Sequence, residues 1–157
     1  MPRPPKPPKS ARERAIDLLA RREHSGRELQ RKLVQKGLAV AEARQLIGDL
    51  SERNLQSDRR FAGALVRRRI GDGYGPLRIR MELQSHGIDA AAGEQAIAEE
   101  APDWPELARQ AYRRKFRDRP ALEATERGKR AQYLAQRGFP IDLALKVARA
   151  DGDVDDG

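Results

Sequence analysis

The sequence predicts an all-α protein, built as three tandem three-helix repeats stacked into an elongated, curved molecule. Two observations carry this prediction, and the first is spacing. Ala15, Leu18 and Leu19 recur at i, i+3 and i+4 with the Arg22 stem at i+7, and Ala62, Leu65, Val66 and Arg69 repeat the rhythm. Each set falls on one helix face. No period-two alternation of β-branched and aromatic residues accompanies it, so no strand is read. The second observation is how helices stop. The segments LQRKLVQKGL (29–38), IRMELQSHGI (79–88) and RAQYLAQRGF (130–139) each place Gly after a helical stretch, a large apolar residue after the Gly, and Leu four positions before it. That is the Schellman pattern, in which a residue in the left-handed region closes the last turn. Glycine takes that conformation without a Cβ penalty.

Gly37, Gly87 and Gly138 lie 50 and 51 residues apart, and the helix after each repeats as well. Three, six and ten positions past the glycines stand Val40, Ala43 and Ile47, then Ala90, Gly93 and Ile97, then Ile141, Ala144 and Ala148. A match in register at near-constant spacing signals tandem repetition of a helical unit. The expected cap contacts are Leu33–Leu38, Leu83–Ile88 and Leu134–Phe139. One position departs: eight residues before the glycine, Arg130 stands where the first two units have Leu29 and Ile79.

In chain order, residues 1–11 are expected to form a disordered, basic, proline-rich tail. The first repeat, 12–57, holds helices over 12–23, 26–36 and 40–53, with Ser25 and Glu28 forming a capping box that satisfies two backbone donors. The second, 58–102, holds helices over 58–71, 76–86 and 89–100. There Asp58 or Ser57 caps the first helix, Pro76 opens the second and Asp89 caps the third. The third, 103–150, holds helices over 104–116, 121–137 and 140–150. Asp103 and Pro105 start its first helix, Pro140 opens its last, and Gly128 weakens the middle one enough to delay its start towards Thr125. Residues 151–157, carrying four aspartates, are expected to be a disordered acidic tail.

Composition narrows the chemistry. Of 157 residues, 38% are hydrophobic and 36% charged, with 32 Lys+Arg against 24 Asp+Glu for a net charge of +8. So small an apolar share favours several thin layers over one thick core. With no cysteine and only His24 and His86, no disulfide, thiolate metal site or cysteine nucleophile is available, and neither a metal nor a cofactor is expected. Neither a membrane-spanning run nor a secretory leader is read, so a cytoplasmic, monomeric protein is expected. GDGYGP (71–76) lacks the Lys-Ser/Thr of a phosphate loop. Glu99–Glu100 and Asp155–Asp156 read as solvated charge, and the two histidines as terminal-turn residues. No enzymatic activity is expected.

Basic clusters are the better candidates. Arg59, Arg60, Arg67, Arg68, Arg69, Arg78 and Arg80 fall between 59 and 80 with Asp72 as the one acid, and Arg109, Arg113, Arg114, Lys115, Arg117 and Arg119 follow. The guanidinium fork holds carboxylate or phosphate in bidentate fashion. The ordinary alternative is a solvated face with snorkelling stems. The turn Gly73–Tyr74–Gly75 presents an aromatic between two arginine-bearing helices, either as an exposed anchor or as a plug in the joint. The candidate partner-binding set is Arg67, Arg68, Arg69, Tyr74, Arg78, Arg80, Arg113, Arg114 and Lys115.

RAIDLLARREHSGRELQRKL (14–33), SDRRFAGALVRRRIGDGYGPLRIRMELQSHGI (57–88), DWPELARQAYRRKF (103–116) and KRAQYLAQRGF (129–139) together resemble the RecX family of bacterial recombination regulators. The likeness spans residues 12–150 and is most specific at RFA, GYGPLRIRMEL and GI. It departs at Gln56–Ser57–Asp58, where the family tends to carry a Tyr/Leu-Asp-Asp run. The resemblance implies three three-helix repeats and a modulator, usually an inhibitor, of the RecA recombinase. Such a protein lies in the groove of the RecA–single-stranded-DNA filament, suppressing ATP hydrolysis and strand exchange. On that reading the arginine clusters engage acidic RecA surface and DNA phosphate. A second reading keeps the basic helices but drops RecA: a helix-turn-helix-like protein binding DNA directly.

Overall fold

The computed structural model describes residues 1–117 and 119–151. Among them nine helices and no strands are found: α1 (Ala11–Arg21), α2 (Gly26–Gln35), α3 (Val40–Glu52), α4 (Asp58–Gly71), α5 (Pro76–Ser85), α6 (Ala90–Glu99), α7 (Trp104–Phe116), α8 (Ala124–Gln136) and α9 (Ile141–Ala150). The all-α, three-helix-repeat class is therefore what the chain adopts. No described helix is long and apolar enough to cross a membrane. The chain divides into two compact units, Met1–Phe61 and Ala62–Gly157.

In the first unit Ala15, Leu29, Leu33, Ala43 and Leu50 are buried together under Leu18, Leu19, Val34, Leu38, Leu46 and Ile47. Each fully buried leucine contributes about 1.5–3 kcal/mol. Ser10 caps α1 and Ser25 caps α2 through the amides of Glu13 and Glu28, both at 3.1 Å. The expected capping box at α2 is only half made. The Glu28 carboxylate turns to Arg22 instead, accepting from Nη1 at 3.2 Å and Nη2 at 2.5 Å, because a charged fork outcompetes a single amide. Between the two candidate caps of α4, Ser57 takes the role by accepting from Arg60 N at 3.2 Å. Asp58 instead accepts from the first amide of α2, Gly26 N, at 2.8 Å and from Gln56 Nε2 at 2.9 Å.

The three repeat glycines take φ of 102°, 79° and 100°. Behind each, the amide of the following residue reaches the leucine carbonyl five positions back: Leu38 to Leu33 at 3.2 Å, Ile88 to Leu83 at 3.0 Å, Phe139 to Leu134 at 3.2 Å. The small residue six positions past each glycine is buried, as Ala43, Gly93 and Ala144. A Cβ on Gly93 would stand 3.5 Å from Leu83 Cδ1, which shows how closely α6 lies on α5.

In the second unit α7, α8 and α9 close over Ala108, Ala111, Tyr112, Ala131, Leu134, Phe139, Ala144, Val147 and Ala148. Asp89 and Asp103 cap α6 and α7 by accepting from Ala92 N at 2.8 Å and Glu106 N at 3.1 Å. α8 starts at Ala124, later than residue 121, because Arg127 Nη1 occupies the carbonyls of Ala121 and Leu122 at 3.2 and 3.0 Å. Pro140 is the cap of α9 and not its first residue. Both expected tails need trimming. Ala11 already belongs to α1, and residues 1–10 lie outside any helix or strand. At the other end Asp151 caps α9 and accepts from Tyr112 Oη at 2.6 Å, so it is ordered by a buried partner, while 152–157 lie outside the described residues.

Candidate functional site

The second unit brings two helix ends together. At the end of α4, Gly73 takes φ 84° and the Tyr74 amide bonds Arg69 O at 3.0 Å, so GDGYGP is a fourth Schellman cap in place of a loose turn. The chain then meets the cap of α8: Gly75 N donates to Arg137 O at 2.8 Å and Leu77 N donates to Gly138 O at 2.9 Å. Amides at the start of α5 thus satisfy carbonyls at the end of α8, and the positive end of one helix dipole faces the negative end of the other. The approach requires glycine on both sides. A Cβ on Gly75 would stand 2.4 Å from Gly138 C, and one on Gly138 would stand 2.6 Å from Arg78 Cβ.

Tyr74 sits half-buried at this joint, nearer to the plug than to the exposed anchor. The guanidinium carbons of Arg137, Arg78 and Arg69 lie 4.0, 4.2 and 5.9 Å from its ring centroid. Arg137 also donates from Nε to Gly73 O at 3.2 Å and from Nη2 to Asp72 O. Arg114 Nη1 closes in from α7, 3.6 Å from where a Gly73 Cβ would stand. Further along, Lys115 Nζ lies 5.4 Å from the Tyr133 centroid and Arg137 lies 6.0 Å from it.

Ion pairing divides the expected set. Arg69 is half-buried, bonded to Glu82 at 2.5 Å and Asp72 at 3.3 Å, and its pKa is raised chiefly by the Glu82 bond. Arg67 pairs with Glu100 at 2.9 Å, Arg80 with Glu94 at 2.5 Å and Arg113 with Glu106 at 3.1 Å, all with exposed arginine side chains. Arg68 is exposed and makes no side-chain bond among the described residues. Arg78, Arg114, Lys115 and Arg137 have no carboxylate partner among the described residues; Arg78 and Arg137 lie over Tyr74, Lys115 by Tyr133 and Arg114 beside Gly73. Like charges held together without an internal counter-ion make this a region of positive potential. Leu77 (46% exposed) and Met81 (71% exposed), one turn apart on α5 beside Arg78, add apolar surface that suits a protein partner. A nearby groove of about 320 Å³ lined by Arg67, Glu100, Asp103 and Glu106 carries too many carboxylates to attract an anion.

Arg137 was absent from the expected set. The only local signal is its place before the capping glycine, which it shares with Lys36 and His86. What distinguishes it is Tyr74, far away in sequence.

Models of the RecX family match three stretches of the chain: the first three-helix domain at 11–50, the second at 57–97 and the third at 103–147. The regulatory protein RecX of Xanthomonas citri is 46% identical over 139 residues, covering 88% of this chain and 86% of that one. Its counterpart in Stenotrophomonas maltophilia (strain K279a) is 43% identical over 141 residues, covering 90% and 86%. Among solved structures, RecX from Lactobacillus salivarius superposes with a TM-score of 0.75 at 21% identity, covering 89% of this chain and 93% of that one. A second RecX crystal structure gives 0.74 at 24% identity, covering 88% and 70%.

Proposed function

This chain belongs to the RecX family of regulatory proteins, and from that premise we propose that it binds the RecA–single-stranded-DNA filament and restrains it. In this reading it acts in the cytoplasm as a monomer and without catalysis of its own. It lies in the filament groove, hinders subunit exchange and access of a second DNA, and so lowers ATP hydrolysis and strand exchange. One observation carries the reading on this chain: Arg78 and Arg137 converge on Tyr74 and Arg114 lies beside Gly73, none with a carboxylate partner among the described residues, next to exposed Leu77 and Met81. Guanidinium forks suit carboxylates of an acidic protein surface and phosphates alike, and the apolar strip favours a nucleoprotein over bare DNA. Several modest contacts along a repeating fibre add up through multivalency.

The test is the double variant Arg78→Glu/Arg114→Glu, which spares Arg137 and hence the joint. A tenfold or greater rise in the concentration needed to inhibit RecA ATPase, with unchanged helical circular dichroism, is the expected result; full inhibition by the variant overturns the site. Titrating DNA alone, RecA alone and the filament, each at two salt concentrations, separates the regulator from a direct DNA binder. The filament is expected to bind tightest, and equal affinity for bare DNA would favour the direct binder.

A further inference from the structure

Residues 1–10 read MPRPPKPPKS, with prolines at 2, 4, 5, 7 and 8 and cations at 3, 6 and 9. All ten are exposed and none lies in a helix, strand or turn. The segment precedes the first matched domain, so its properties are not those of the repeats. Each pyrrolidine ring fixes its own φ near −65°, and each residue before a proline is confined to extended backbone. Stereochemistry alone therefore biases positions 1–8 towards polyproline II geometry, with ψ left open only at Pro2, Pro5 and Pro8. Ser10, at φ −65° and ψ 161°, continues that geometry into the cap of α1.

A polyproline II helix has three residues per turn and rises about 3.1 Å per residue. The cations also recur every three residues. Arg3, Lys6 and Lys9 consequently share one edge, about 9.3 Å apart. Pro2, Pro5 and Pro8 form the second edge, and Met1, Pro4 and Pro7 the third. Lys9 pairs with Asp17 of α1 on the surface, which anchors the near end of the row. Arg3 and Lys6 make no side-chain bond among the described residues.

We propose that this segment is a stiff cationic rail that lies along the phosphodiester backbone of a nucleic acid strand. Proline removes most of the amide donors, so Coulomb attraction along the charged edge is the main force this segment can offer a polyanion. The row is stiff before binding, so little ordering cost falls due when it docks. A straight row of one sign fits a partner whose opposite charges also repeat along a line. An anionic lipid surface would supply charge too, but stable attachment there needs an apolar anchor that this segment lacks.

The experiment uses the full chain and a labelled thymidine oligonucleotide, without RecA, so its outcome is independent of the regulator reading. Affinity is followed by fluorescence anisotropy over a series of salt concentrations. Arg3→Gln/Lys6→Gln is expected to make the slope of log K against log salt shallower by about 1.4, at about 0.7 per cation on single strands. Arg3→Pro/Pro4→Arg keeps the composition but moves one cation off the edge, and is expected to bind severalfold more weakly than the parent. An unchanged slope in the neutralised variant, or parental affinity in the exchanged one, overturns the proposal. So does segment-dependent binding to phosphatidylserine vesicles without segment-dependent binding to the oligonucleotide.

Discussion

At one shared position, eight residues before the capping glycine, the first three-helix domain buries Leu29 and the third buries Arg130. Leu29 packs among Ala15, Leu33, Ala43 and Leu50 and needs no partner beyond carbon. Arg130 occupies the same slot with a set of acceptors around it. Its Nη1 donates to Arg119 O at 2.6 Å, Tyr112 Oη at 3.0 Å and Asp151 Oδ2 at 3.2 Å, and its Nε to Glu126 at 3.1 Å. The Phe116 ring lies 4.5 Å from the guanidinium carbon. A buried ion pair recovers little more than its desolvation cost, so Arg130 stabilises less than a well-packed leucine would. What it adds is connection. One side chain ties α7, the approach to α8 and the end of α9, none of which a leucine could hold by direction.

The sharpest way to break the comparison is Arg130→Ala, which takes the cation from Asp151 and Glu126 and leaves a void beside Phe116, while Tyr112 Oη keeps its bond to Asp151. A loss of about 3–5 kcal/mol is expected, read from chemical denaturation. Arg130→Leu, which keeps the Tyr112–Asp151 bond, rebuilds the leucine slot and is expected to recover more than half of that loss. Recovery of nothing would show that connection, and not burial, governs this domain.

Acid sharpens the contrast from the other side. In the first unit the buried His24 donates from Nδ1 to Arg22 O at 3.0 Å and faces Lys32 Nζ at 3.1 Å through Nε2, so it is held neutral. Burial, foremost, lowers its pKa from 6.5. Burial pushes Glu28 the opposite way, but its bonds and charge contacts with Arg22, aided by Lys32, outweigh that and hold it at about 2, down from 4.5. Both folded-state values lie below the unfolded ones. Their stabilisation is therefore complete above pH 6.5 for His24 and above 4.5 for Glu28, and is lost as pH falls below those values. Hydrogen exchange by mass spectrometry, with each rate divided by its intrinsic value at that pH, is expected to show the protection of residues 11–52 falling severalfold between pH 7 and 5, while that of the third domain, which has no histidine, is unchanged.

The smallest effect belongs to the surface. Arg80→Gln removes a pair with Glu94 whose side chains are 45% and 53% exposed, and is expected to change stability by less than about 1 kcal/mol. A larger loss would mean that exposed pairs matter here as much as the Arg130 network.

Local chemistry was legible and remote chemistry was not. The glycine caps could be read because every bond of a Schellman motif lies within six residues, and Ser25, Asp89 and Asp103 could be read as caps for the same reason. Arg130 stood out as a break in the pattern, yet beyond Glu126 one turn back nothing nearby named its partners, since Tyr112 and Asp151 lie 18 and 21 positions away. Charge counting found Arg78, Arg114 and Lys115 but could not tell them from Arg67 and Arg80, whose partners come from beyond their own helices, or from Arg113, whose partner Glu106 lies two turns back on α7. Arg137 escaped altogether, because its role depends on Gly73 and Tyr74, more than sixty residues earlier.

The contact between Gly75 and Gly138 leaves no room for even one added carbon. A Cβ at either glycine would strike backbone, which cannot rotate aside, and would force the two chain segments apart. Arg78 and Arg137 meet on Tyr74 across that contact, so a single added carbon at either glycine would disperse the charge without removing any of it.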